Sequence, residues 1–279
     1  MAYKSLLTVL TDTKITDAPL GQLIALAQAQ DAHAEALCLG VDRTQTGYYY
    51  AGANAMVLQE TLTRAHDGAA KILAIANERL GSSGLRWSAE DGVAQIADIG
   101  RHVAHRSRFS DLVILPRPYG EGRGPEVEAV VEAALFEGHA PVLVVPEDVT
   151  PQGQPKTIMV AWNESVESLT AIRRALTFLQ SADIVHIVII EPPTHGPERS
   201  DPGGLLSQML ARHGVRCKID VLSKTMTRVS DVLNRHARDT DSDMIVMGAY
   251  GHSRFREAIL GGATRNMLEQ AAVPVFMAH

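Results

Sequence analysis

Asp243-Met-Ile-Val-Met-Gly248-Ala-Tyr-Gly251 is the stretch that decides how this chain folds. Its run Met244–Met247 is apolar without alternation, as expected of a strand buried on both faces. Beyond Gly251 come Gly261-Gly262 and then Ala263-Thr-Arg-Asn-Met-Leu268, which reads as the start of a helix. Glycines at both ends of a strand-to-helix loop suggest a backbone that something must approach closely. A helix N-terminus beyond such a loop offers unpaired N–H groups and a positive dipole end.

The same unit occurs earlier in the chain. Asp111-Leu-Val-Ile-Leu-Pro116 parallels Asp243–Gly248, and Ala140-Pro-Val-Leu-Val-Val145 parallels Val273-Pro-Val-Phe-Met277. The openings match as well: Leu6-Leu-Thr-Val-Leu10 before Thr11, and Ile158-Met-Val-Ala-Trp162 before Asn163. Each opening is followed by an apolar helical face, Leu20, Leu23, Ile24 and Ala27 in one copy and Leu169, Ile172, Leu176 and Leu179 in the other. Second strands are expected at Glu35–Val41 and Ile184–Ile190, and third strands at Leu85–Ala89 and Arg216–Leu222. Helices are expected over Met56–Leu80, Val93–His105, Leu205–Arg212 and Val229–Arg238. Strands alternating with helices predict a parallel sheet with right-handed crossovers. The expectation is an α/β chain of two tandem Rossmann-like domains, each a five-stranded parallel sheet flanked by helices. The polar, Pro- and Gly-containing stretch Glu147–Lys156 reads as the linker, which gives domains 1–148 and 155–279.

Length agrees, since 279 residues fit about two domains. A net charge of −6 argues against a general nucleic-acid binder. The two cysteines, Cys38 and Cys217, sit in apolar strand-like runs and read as reduced and buried. No leader pattern opens the sequence and no apolar run reaches membrane-spanning length, so the expected location is the cytoplasm. The tyrosines Tyr48–Tyr50 read as loop aromatics, and the Pro-rich stretch 191–204 as a surface loop.

Several chemistries lack their motifs. There is no Gly-x4-Gly-Lys-Ser/Thr loop, no Gly-x-Gly-x-x-Gly after a strand and no Gly-x-Ser-x-Gly elbow. His102 and His105 stand three apart on a helix without a third ligand, so neither metal nor catalytic residues are expected. Gly248, Gly251, Gly261 and Gly262 are the candidate ligand residues, with His252, Ser253 and Arg254 adding polar groups and Ala263 and Thr264 opening the helix.

The spacing Gly-x2-Gly-x9-Gly, set between the last but one strand and the last helix, resembles the universal stress protein family. So does the tandem architecture. The resemblance implies adenine nucleotide alpha hydrolase-like domains, a stress-response role, and ATP or a related adenine nucleotide as ligand, with Mg2+ as its companion. By position it implies that Gly248, Gly251 and Gly261 line triphosphate and ribose. Ala161 and Trp162 would end the first strand, Asn163 would follow it where ATP-binding members often have Asp, and Ile190 would contact adenine through its backbone. Gly262 replaces the usual Ser or Thr after the third glycine, and Thr264 is the candidate substitute. The first copy departs further: Pro116 and Glu128 occupy glycine positions and Thr11 the acidic one, so that copy is expected not to bind ATP in the family manner.

The resemblance also implies pairing of the two domains through Pro141–Val145 and Pro274–Met277, with a homodimer as a further expectation. A nucleotide-free interaction module of the same fold is the alternative. A true enzyme is the weakest reading, with slow ATP hydrolysis the most that is expected.

Overall fold

The computed structural model describes residues 2–43, 54–192, 201–249 and 262–279, with backbone only for 54–58. The three tyrosines, most of the Pro-rich stretch, and Gly251, His252, Ser253, Arg254 and Gly261 lie outside the described residues. The described chain forms two compact units, Tyr3–Ala140 and Pro141–His279.

In the first unit, β1 (Ser5–Leu10) pairs in parallel with β2 (His33–Asp42) and with β4 (Leu112–Pro116). β2 pairs on its other side with β3 (Trp87–Gln95), giving the order β3-β2-β1-β4. Leu6, Leu7, Leu10 and Leu112–Leu115 are fully buried, which is why these strands read as unbroken apolar runs. The helices are α1 (Asp17–Gln30), α2 (Asn54–Gly81), α3 (Ile99–Ser107) and α4 (Pro125–Glu132). The third strand is longer than its sequence suggests: β2 supplies partners from Ala34↔Trp87 to Asp42↔Gln95. Residues expected to open a helix at Val93 are therefore held in the sheet, and α3 begins at Ile99.

In the second unit, β6 (Thr157–Ala161) lies between β7 (Ile184–Ile190) and β9 (Met244–Gly248), all parallel. β7 pairs onward with β8 (Cys217–Leu222), and β9 with β10 (Val275–Ala278). β5 (Val142–Val145) runs antiparallel to β10 with Val144 opposite Val275, completing the order β5-β10-β9-β6-β7-β8. That pairing covers the backbone edge β10 would otherwise expose. The helices are α5 (Val166–Arg174), α6 (Leu176–Ser181), α7 (Gly204–Arg212), α8 (Val229–Asp239) and α9 (Ala263–Gln270). The single apolar face expected from Leu169 to Leu179 is divided at Ala175, where ψ is 0°. Phe178 of α6 then meets Phe276 of β10 edge to face at 6.0 Å, both fully buried.

The repeat extends to hydrogen bonds. Asp111 Oδ2 accepts from the backbone N–H of Lys4 (2.7 Å) and Ser5 (2.9 Å). Asp243 Oδ2 accepts from Lys156 (2.7 Å) and Thr157 (2.9 Å). In each unit the aspartate before the fourth strand clamps the start of the first. Among the described residues, no helix is long and apolar enough to cross a membrane.

Candidate functional site

The register of the second unit brings several predicted residues to one end of its sheet. Ala161 pairs with Val188 on one side and Met247 on the other. The carboxyl ends of β6, β7 and β9, with Ile190 and Gly248, therefore lie together, the position where open parallel sheets bind ligands. Trp162 leaves the strand through its N–H bond to the Val188 carbonyl (2.9 Å), and its indole Nε1–H is buried without a partner among the described residues. Asn163 is exposed, and its Oδ1 accepts from the Ser165 N–H at 3.3 Å. That turn carries Glu164 at φ 60° and hands the chain to α5, whose N-cap Ser165 accepts from the Ser168 N–H at 3.1 Å.

Gly248 has a reason to lack a side chain that involves no ligand. A Cβ there would stand 2.6 Å from the backbone nitrogen of Ser168 and 2.8 Å from the carbonyl carbon of Glu167. The strand end thus packs directly against the first turn of α5, which only glycine permits. Gly262 is the N-cap of α9 and provides no side-chain cap. Ala263 beside it is exposed, whereas Thr264 is 3% exposed and faces the core.

The equivalent end of the first unit is differently furnished. Gly124 caps α4, Pro125 follows, and Glu126 and Glu128 stand in the first turn. Glu126 is buried and paired with Arg43, and Glu128 accepts from the Tyr119 hydroxyl at 2.7 Å. Carboxylates of the helix itself thus occupy the dipole end that a phosphate would use. Burial, with the neighbouring Arg117 charge, lowers the Arg123 pKa, while Asp12 works the other way.

Sequence reasoning missed two features. A cavity of about 370 Å³ lies in the first unit, lined by Asp12, Gly40, Arg43, Arg64 and Lys71 among others. At Gly40, one of its lining residues, α2 rests directly on β2: a Cβ there would overlap the Ala65 carbonyl oxygen. The signal available was Gly40 within the apolar run 36–41. The second feature is a cluster of His186, Asp220 and His236 in the second unit. These residues are far apart in sequence, and their meeting depends on strand register that spacing alone does not reveal. Burial works against ionisation of Asp220, but hydrogen bonds from His186, Lys218 and His236 win and hold its pKa at about 2.

A largely parallel sheet flanked by helices, in the strand order seen here, defines a Rossmann-like α/β fold. Residues 155–279 match the model of the Universal stress protein family. Universal stress protein Slr1230 of Synechocystis sp. (strain ATCC 27184 / PCC 6803 / Kazusa) is 26% identical over 108 residues. That match covers 37% of each protein, so the chain spans little more than a third of the length of this curated relative. A universal stress protein from Archaeoglobus fulgidus DSM 4304 shares the fold, with a TM-score of 0.71 at 15% identity over 97% of this chain and 95% of that one. The functionally unknown protein PA1789 from Pseudomonas aeruginosa PAO1 aligns with a TM-score of 0.59 at 14% identity, over 99% of this chain and 92% of that one.

Proposed function

We propose that residues 155–279 bind an adenine nucleotide, ATP in the first instance, and that its occupancy regulates a protein partner in a stress response. The nucleotide lies across the carboxyl ends of β6, β7 and β9. Ile190 meets the base, Ala161–Asn163 flank the ribose, and the loop from Gly248 through Gly251 to Gly261 cradles the phosphates with the backbone N–H groups of Gly262–Thr264, the Thr264 side chain being buried in the core. Mg2+ arrives with the phosphates, as is usual where a protein supplies few dedicated ligands. The supporting observation is the register that sets Ala161 between Val188 and Met247 at the carboxyl end of the sheet, together with Gly262 at the N-cap of α9, which has no side chain to cap it. An uncapped helix start suits an anion.

In this reading residues 1–148 are a degenerate copy of the same domain and a structural companion. The repeated aspartate clamp supports common construction, and Glu126 and Glu128 oppose a phosphate at α4. Calorimetric titration of the full chain with ATP and Mg2+ tests the proposal. One site per chain is expected, absent in Gly251→Val, where a β-branched side chain enters the loop. Unchanged affinity in a folded Gly251→Val protein refutes the loop assignment.

The cavity of the first unit favours a second reading, in which that unit takes a small anion. Its volume falls in the ordinary range for ligand pockets, about 300–1,000 Å³, and its charged lining residues are Asp12, Arg43, Arg64 and Lys71, of which Arg43 also pairs with Glu126 and Arg64 with Glu60. In that case titration of the full chain with inorganic phosphate gives a site that Arg64→Gln with Lys71→Met removes.

A further inference from the structure

We propose that His186, Asp220 and His236 form a site for one divalent ion of the zinc type, tying α8 to β7 and β8. His186 sits opposite Lys218 in the register, and Val188 opposite Asp220. His186 and Asp220 are thus diagonal neighbours on one face of the sheet. His186 Nδ1 is 2.7 Å from Asp220 Oδ2, and His236 Nε2, coming from α8, is 3.0 Å from the same oxygen. All three ligand atoms lie within 4.8 Å of one another. Bonds of about 2.0–2.2 Å at tetrahedral angles place ligand atoms roughly 3.3–3.6 Å apart, so the two contacts to Asp220 Oδ2 must open by about half an ångström and the third distance, at most 4.8 Å, must close by no more than about 1.5 Å. The two rings meet at 79° with centroids 6.2 Å apart, so they approach a common centre from different directions.

The surroundings suit such an ion. Lys218 Nζ holds Asp220 Oδ1 at 3.0 Å, fixing the carboxylate and leaving Oδ2 to point at the imidazoles. This is the outer-shell support that orients metal ligands. The three side chains are 12%, 9% and 16% exposed, shielded yet within reach of a water as fourth ligand. Two imidazoles and a carboxylate, with no thiolate, match zinc and its neighbours rather than calcium or magnesium. An ionised Asp220 accepts an N–H from each ring in the metal-free protein. Binding therefore requires each ring to turn a lone pair to the ion, its proton moving to the other ring nitrogen or to water. The site lies about 13 Å along β7 from Ile190, at the ordinary strand rise, so it is separate from the nucleotide site.

The test uses untagged full-length protein stripped with chelator, titrated with Zn2+ by calorimetry and with Co2+ by visible absorption. One Zn2+ per chain is expected, with the visible d–d bands of a four-coordinate cobalt site. Saturating zinc should raise the melting temperature by about 5 °C or more at a hundredfold excess over Kd. Asp220→Asn and His236→Gln should each weaken zinc binding at least about a hundredfold. Lys218→Met should weaken it about tenfold, the lower range of outer-shell effects. His213→Gln, outside the cluster, should change nothing. Because the cobalt spectrum is read on the unaltered protein, it decides even if a variant fails to fold. Absence of stoichiometric zinc in the unaltered protein, or zinc binding indifferent to the cluster variants, overturns the proposal and leaves a hydrogen-bonded His–Asp–His tie.

Discussion

Gly248→Ala separates the two reasons a glycine can occupy the end of β9. In the free protein a methyl group would stand 2.6 Å from Ser168 N and 2.8 Å from Glu167 C. That is roughly 0.8 Å inside ordinary contact, far up the repulsive wall of the interatomic potential. Both neighbours are backbone atoms in the first turn of α5, so no side chain can swing away. Either α5 slides, straining the Ser165 cap on Ser168 N–H, or the strand end bends. Overpacking of this kind costs about 1–3 kcal/mol. Taking about 2 kcal/mol and roughly 2–4 °C per kcal/mol for a chain of this size, the melting temperature should fall by about 4–8 °C. Differential scanning calorimetry of ligand-free protein measures it, with Gly68→Ala as the control. A Cβ at Gly68 meets nothing within 4 Å, so that helical substitution should be neutral or stabilising by up to about 1 kcal/mol. A Gly248→Ala protein melting within 1 °C of the parent refutes the packing argument and leaves the glycine to its ligand alone.

Two further predictions concern the core of each unit. Asp243→Ala strips two backbone N–H groups of their acceptor and should cost about 1–3 kcal/mol in denaturant melts, with Asp111→Ala behaving alike. A large difference between the two would show that the clamps are not equivalent. Burial, reinforced by the charge of Asp91, pushes the Cys38 thiol up to about 12, and burial also raises that of Cys217. Cys38 is fully buried and both are free thiols, so a thiol reagent at pH 8 should leave Cys38 unlabelled until the protein is denatured. Rapid native labelling of Cys38 contradicts its placement.

The fold was legible because the central strands of each unit are buried on both faces. Met244–Met247 and Leu112–Leu115 are apolar at every position, and each is introduced by the same aspartate. Strand ends were less legible. β3 carries exposed and half-buried residues such as Glu90 and Asp91, and its length is set by β2 beside it. The break at Ala175 was hidden because apolar spacing continues across it. The candidate nucleotide residues were found through glycine spacing, yet for Gly248 that signal has a second cause, the contact with α5. The His186–Asp220–His236 cluster left no trace in spacing because the sheet register assembles it. The cavity of the first unit likewise depends on how α2 meets Gly40.

The most direct test of the central claim is the number of ATP molecules bound per full-length chain, measured by calorimetry on protein first freed of nucleotide. One site, lost in Gly251→Val and kept in Pro116→Gly, is the predicted result. No binding to a folded chain, or two equivalent sites, contradicts it.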